Sequence, residues 1–164
     1  MAVCLCLTRP NPCLRTAADL VEAITEDTCA IWQDMVDTIG ATSGVRLAAP
    51  QIGVMLRLAV IDDSQTRRRV IYLANPEVMQ SSTEHYEHEE ASPYLSGVST
   101  RISRPKSVLV RFINEQGMID IQELTDLWAT SVQHQIDHLN GKMYFDNLSQ
   151  LRREMLLKKA RKAT

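Results

Sequence analysis

Between residues 123 and 140 the chain distributes Leu124, Leu127, Trp128, Val132, Ile136 and Leu139 nearly all the way round a helix, with no wide polar face left over. A helix of that kind is stable only when it is enclosed. The spacing therefore predicts a central helix over 123–140, buried between other elements. The same stretch holds Gln133, His134, Gln135 and His138. Their polar atoms must find partners once buried. The core of this chain is therefore expected to contain a polar pocket, whether or not a metal fills it.

Around that helix the pattern is mixed α and β. Leu20, Ile24, Ile31, Met35 and Ile39 recur at helical spacing, and Gly40 follows as a stop, which predicts an amphipathic helix over 17–39. Apolar β-rich runs at 56–61, 70–73 and 108–113 read as strands, with a turn at 114–117. The acidic run Glu84, Glu87, Glu89 and Glu90, with His85 and His88, reads as a strand or loop surface. A length of 164 residues suits one domain spanning 1–164.

No stretch approaches the roughly 18 apolar residues of a membrane span, and the first seven residues lack the basic start of a secretory signal. Cytoplasm is the expected compartment. All four cysteines fall within the first 29 residues. Cys4 and Cys6 alternate along an expected strand and could share a face toward a metal, but no matching Cys or His pair lies nearby in sequence. Reduced thiols are the expectation.

On an α-helix, positions i and i+4 lie one turn apart, so His134 and His138 can present two imidazoles to one ion. In the His-Glu-x-x-His arrangement of metal hydrolases, the Glu takes a proton from metal-bound water. Here that position is Gln135. Its neutral amide can hold a water but cannot carry its proton.

Reading outward, Arg9-Pro10-Asn11-Pro12-Cys13-Leu14-Arg15, then Gly44-Val45-Arg46-Leu47-Ala48-Ala49-Pro50-Gln51, then Leu73-Ala74-Asn75-Pro76, and finally Gln133 to Gly141 together resemble the peptide deformylase family. Its members are metal hydrolases that remove the formyl group from the N-terminal methionine of nascent proteins. The resemblance runs the length of the chain. It implies an α+β fold, with mostly antiparallel sheets packed around a central helix carrying His134 and His138.

The same resemblance implies His134 and His138 as metal ligands, and Gln51 as a donor to the developing oxyanion. It places Gly44, Val45, Arg46, Leu127 and Ser131 along the substrate pocket and pairs Glu90 with Arg104. Anchoring on Gly97 and Arg104 aligns Glu90-Ala91-Ser92-Pro93-Tyr94 with the family's Glu-Gly-Cys-Leu-Ser. Ser92 then stands where the third ligand is a cysteine, and a neutral hydroxyl replaces a soft thiolate. Pro93 stands where a backbone N–H would steady the oxyanion, and proline has none. Arg46 replaces a glycine, bringing a long cation to the channel, either into it or swung out to solvent.

Gln135 and Ser92 alone could be inactivating replacements made by design. Pro93, Ala91, Arg46, Asp126 and Thr130 are not such choices, so natural divergence accounts for the set better.

The expectation is a deformylase homologue impaired or inactive toward N-formylmethionyl peptides. The competing reading is an active metal-dependent amide hydrolase in which Ser92 or water completes the site. A divalent iron, zinc or nickel ion would be weakly held or absent, and no organic cofactor is implied. The expected ligands are formylated or free peptide N-termini. Residues 148–164 form a basic C-terminal helix of charge +5 in a chain whose net charge is −2. That asymmetry is compatible with weak ribosome contact, although Leu148, Leu151, Met155 and Leu156 also make an apolar stripe suited to docking on the chain's own core. Neither DNA nor a membrane is an expected partner.

Overall fold

The computed structural model describes residues 2–42, 44–62 and 69–163. Met1 and Thr164, the ends of the expected domain, lie outside the described residues. Among the described residues, seven strands form two antiparallel sheets. The larger has the order β1 (Arg46–Ala48), β2 (Leu58–Asp62), β3 (Val70–Ser81), β6 (Ser107–Ile113), β7 (Ile119–Thr125). The smaller pairs β4 (His85–Glu90) with β5 (Thr100–Pro105).

Helix α2 (Asp126–Leu139) touches strands of both sheets. Its Ala129, Val132 and Leu139 pack with Ala59, Ile61, Leu73, Val110 and Phe112 from the large sheet. This is the α+β arrangement with antiparallel sheets that the resemblance implies. Helix α1 (Glu26–Thr42) covers the other flank, with Trp32, Met35 and Ile39 against Leu47, Leu58 and Val60. Among the described residues no helix is long and apolar enough to cross a membrane.

The central helix starts at Asp126, three residues later than the apolar spacing predicts. Leu124 belongs to β7, where it pairs with Val108 and is buried by the sheet. Asp126 adopts a positive φ of 52°, which ends the strand and turns the chain into the helix. Nor is α2 enclosed all round: Leu127 is half-exposed, and it lines a pocket instead of the core.

Helix α1 is shorter at its start than expected. Residues 17–25 are not helical, because tertiary partners claim their backbone. The N–H of Ala18 donates to Leu139 O (2.9 Å), Asp19 bonds Met55 and Arg57 in both directions, and the Asn75 side chain clasps both the N–H and the C=O of Val21. Ala18 and Val21 are buried while Leu20 faces solvent, so Leu20 does not belong to the buried stripe that its spacing with Ile24 suggests. The helix also passes through Gly40 to Thr42.

Three more expectations shift. Strand β3 does not end at Leu73. It continues to Ser81 through irregular pairing at Ala74/Glu77, where Asn75 takes φ 50° and Pro76 needs no ladder donor. Residues 2–7 run without strand pairing, and Cys4 and Cys6 are half-buried free thiols. In α3 (Gln150–Ala163), Leu156 and Ala160 dock on Tyr94, Leu95 and Phe145, but Leu151 and Met155 face solvent.

Candidate functional site

One helical turn on α2 brings His134 and His138 together. Their Nε2 atoms are 3.1 Å apart and both rings are almost wholly buried. Glu90, at the end of β4 and with no exposure, places Oε1 2.7 Å from His134 Nδ1. Arg104 of β5 clamps the same carboxylate, Nε to Oε2 at 2.7 Å and Nη2 to Oε1 at 2.9 Å, and its Nη1 reaches Asp137 Oδ2 at 2.9 Å. The sheet register explains the meeting, since Tyr86 pairs with Arg104 and Glu90 lies four residues along on the same face. The structure thus joins Glu90 and Arg104 as an ion pair. It turns Asp137 toward that pair and Asn147.

Burial first, then the nearby Arg46 and Arg104 cations, hold the His134 pKa well below its usual range. For His138 the causes are burial, then His134 and the two arginines. Both rings are neutral, and the partners assign their protons. His134 Nδ1 carries hydrogen toward Glu90, so its Nε2 is a bare acceptor and His138 Nε2–H donates to it. His138 Nδ1 is then bare, and it is a buried nitrogen with no partner among the described residues. Tyr144 stacks on His134, with centroids 5.7 Å apart. Burial, and then the charge of Glu90, push its phenol pKa up to about 12.

Gln135 follows His134 on the helix and is completely buried, with neither amide atom hydrogen-bonded among the described residues. Gln51 is also buried. Its Oε1 accepts from the Ala48 N–H at 2.9 Å, which leaves the amide nitrogen as the end available to donate. Ser92 and Pro93 open the 3-10 turn Pro93–Leu95: Ser92 Oγ accepts from Tyr94 N–H at 3.4 Å, and Pro93 takes the first helical position, where no N–H is needed. Serine followed by proline is a helix-start signal.

Arg46 does not swing out to solvent. From β1 its Nη1 donates to Ser131 Oγ at 3.2 Å, and its Nη2 lies 3.4 Å from His134 Nδ1. That nitrogen already bears a hydrogen, so the second contact satisfies nothing. Desolvation lowers the guanidinium pKa to about 10, with Glu90 opposing and Arg104 reinforcing the shift. Arg46 and Ser131 line a pocket of about 220 Å³ with Val45 and Leu127. Gly44 instead borders an adjoining pocket that Arg46 also lines, together with Ser92.

The sequence reading missed Ile61, Trp128 and His88 in the 220 Å³ pocket. For His88 the signal was available: it lies two residues before Glu90 on one strand, and so on the same face. The acidic neighbours made that strand read as surface.

The residues fit a metal only in part. Two imidazole nitrogens 3.1 Å apart suit tetrahedral coordination at about 2.0–2.1 Å, and Glu90 orients one of them in the way metal-binding histidines require. Beyond the pair the fit fails. Among the described residues no group of three His, Cys, Asp or Glu converges, the Ser92 hydroxyl is engaged as a cap, and a guanidinium stands beside His134. A divalent ion would face a cation and lack an anionic ligand.

The family model described as polypeptide deformylase matches residues 4–154. A peptide deformylase of Bartonella henselae is 37% identical over 155 residues, 93% of this chain and 88% of that one. The crystal structure of a peptide deformylase from Legionella pneumophila superposes with TM-score 0.91 at 37% identity, covering 98% of this chain and 95% of that chain. The peptide deformylase from Thermus thermophilus does so with TM-score 0.91 at 32% identity, covering 98% and 95%.

Proposed function

The chain belongs to the polypeptide deformylase family, and from that premise we propose that it is a cytoplasmic member with little or no turnover of N-formylmethionyl peptides, in which the former catalytic pocket holds a ligand. Gln135 is the observation that carries this reading. At the place where the family's base takes a proton from water stands a fully buried amide, without acid–base chemistry and without a partner among the described residues. Pro93 removes one oxyanion donor, a loss worth about two to three orders of magnitude by itself. Ser92 leaves any ion with two neutral nitrogens and a hydroxyl.

Each group keeps a role that is not hydrolysis. His134 and His138 hydrogen-bond each other through their Nε2 atoms, Glu90 and Arg104 fix His134, and Arg46 with Ser131 forms the polar wall of the pocket. Glycine at residue 46 would leave that wall open, and arginine closes it with a charge. A metal, where bound, would supply Lewis acidity and an activated water. Among the described residues, none with acid–base chemistry takes the place of Gln135 to move that water's proton.

The test is the content of iron, zinc, nickel and cobalt in protein purified without oxygen, with His134→Ala as the blank. The reading expects far less than one metal per chain in both. Near one metal per chain, lost in the variant, would overturn it and favour a working hydrolase completed by Ser92 or water.

A further inference from the structure

We propose that the pocket beside Arg46 is a binding site for a small carboxylate with an apolar tail, an inference that rests on reading the pocket as a ligand site. Its basis is an imbalance of hydrogen-bond donors. A guanidinium has five N–H donors and is seldom buried without an anion against it. Arg46 has one sound acceptor, Ser131 Oγ at 3.2 Å. Its contact with His134 meets a nitrogen that points its own hydrogen at Glu90. Glu90 attracts Arg46 from a distance, but Arg104 occupies both of its oxygens. Among the described residues no carboxylate lies within ion-pair distance of Arg46.

The other polar group of the pocket is the Ser131 hydroxyl, whose hydrogen is free to donate while its oxygen accepts from Arg46, and the His88 ring forms part of the wall. Arg46 and Ser131 therefore supply a cation and a hydroxyl in one cavity, a pair suited to a carboxylate. The remaining wall is apolar, built by Val45, Ile61, Leu127 and Trp128. A volume of about 220 Å³ holds about seven water-sized groups, enough for a carboxylate and a chain of four or five carbons. Val45 and Leu127 are partly exposed, so the mouth admits such a molecule from solvent. A free peptide N-terminus, being cationic, would meet the Arg46 charge head on, and the geometry disfavours it.

The test is calorimetric titration at neutral pH in low-chloride buffer with hexanoate and its neutral counterpart hexanamide, on the wild type and on Arg46→Met. Trp128 fluorescence provides a second readout. The wild type should bind hexanoate about tenfold tighter than hexanamide, the effect of one charged hydrogen bond, and Arg46→Met should erase the difference. Equal affinity for both compounds, no hexanoate binding, or a preference that survives in Arg46→Met would overturn the proposal. Assaying the same samples on an N-formylmethionyl peptide separates the two readings. Turnover together with hexanoate selectivity would sink the loss of hydrolysis and keep the carboxylate site. Absence of both would do the reverse.

Discussion

Replacing Arg46 by methionine should stabilise the protein, although it removes a hydrogen bond. Burial lowers the guanidinium pKa from 12.5 to about 10. At about 1.36 kcal/mol per pH unit, that is a penalty of about 3 kcal/mol for holding the charge inside. The residue as a whole is half-buried, so water offsets part of this, and about half is a reasonable share. Losing the Ser131 contact costs about 1 kcal/mol in return, much of it recoverable if the hydroxyl turns to a helix carbonyl.

The net expectation is a gain of about 1 kcal/mol, or a rise of roughly 2–4 °C in Tm for a chain of this size. The sign follows from linkage. The native pKa lies below the unfolded one, so the penalty is full below about pH 10 and disappears only as the pH climbs toward the unfolded value. Thermal and urea unfolding at pH 7.5, without added carboxylates, measure it. A fall in stability of more than about 1 kcal/mol would mean that Arg46 is well paired in the native state and is not an unanswered guanidinium.

Other perturbations probe the same architecture. Arg104→Leu strips two hydrogen bonds from a carboxylate with no exposure. It should cost about 3–5 kcal/mol in urea unfolding, and adding Glu90→Gln should cost little more; additive losses would contradict the coupled network. Gly141→Ala should lose at least about 2 kcal/mol, because φ is +74° and a Cβ would stand 2.8 Å from the Arg15 carbonyl; a neutral effect in thermal unfolding would refute that close approach. In chelator-treated protein, His134 and His138 stay neutral when folded, since burial and then neighbouring cations hold their pKa values down. Unfolding then takes up two protons below about pH 6.5, so stability should be flat above that pH and fall by about 2.7 kcal/mol per unit beneath it. Unchanged urea midpoints from pH 7 to pH 5 would show that the rings are not the buried neutral pair described.

Much of this was legible in the sequence because the signals were local or rigid. The i, i+4 spacing of His134 and His138 survives any packing, and the chemistry open to Gln135, Ser92 and Pro93 can be read one residue at a time. Errors arose where distant partners decided the outcome. Residues 17–25 are drawn out of a helix by Leu139, Met55 and the Asn75 clasp, none of which a local periodicity can register. Strand β7 went unread, its last residues 123–125 being taken into the helix, because Ile119 and Ile121 face solvent while Leu124 alone is buried. The direction of Arg46 was open in sequence, and Ser131, 85 residues away, decided it.

The central claim is the loss of hydrolysis, and the most direct measurement is turnover of an N-formylmethionyl peptide by anaerobically prepared protein supplied with iron or nickel. The wild type should be compared with the combined variant Gln135→Glu, Ser92→Cys, Pro93→Leu. The account predicts a wild-type rate at least about 10⁴-fold below the combined variant, from an absent base and an absent oxyanion donor. A wild-type turnover of about 10 s⁻¹, ordinary for an enzyme, that the three replacements fail to raise would contradict it.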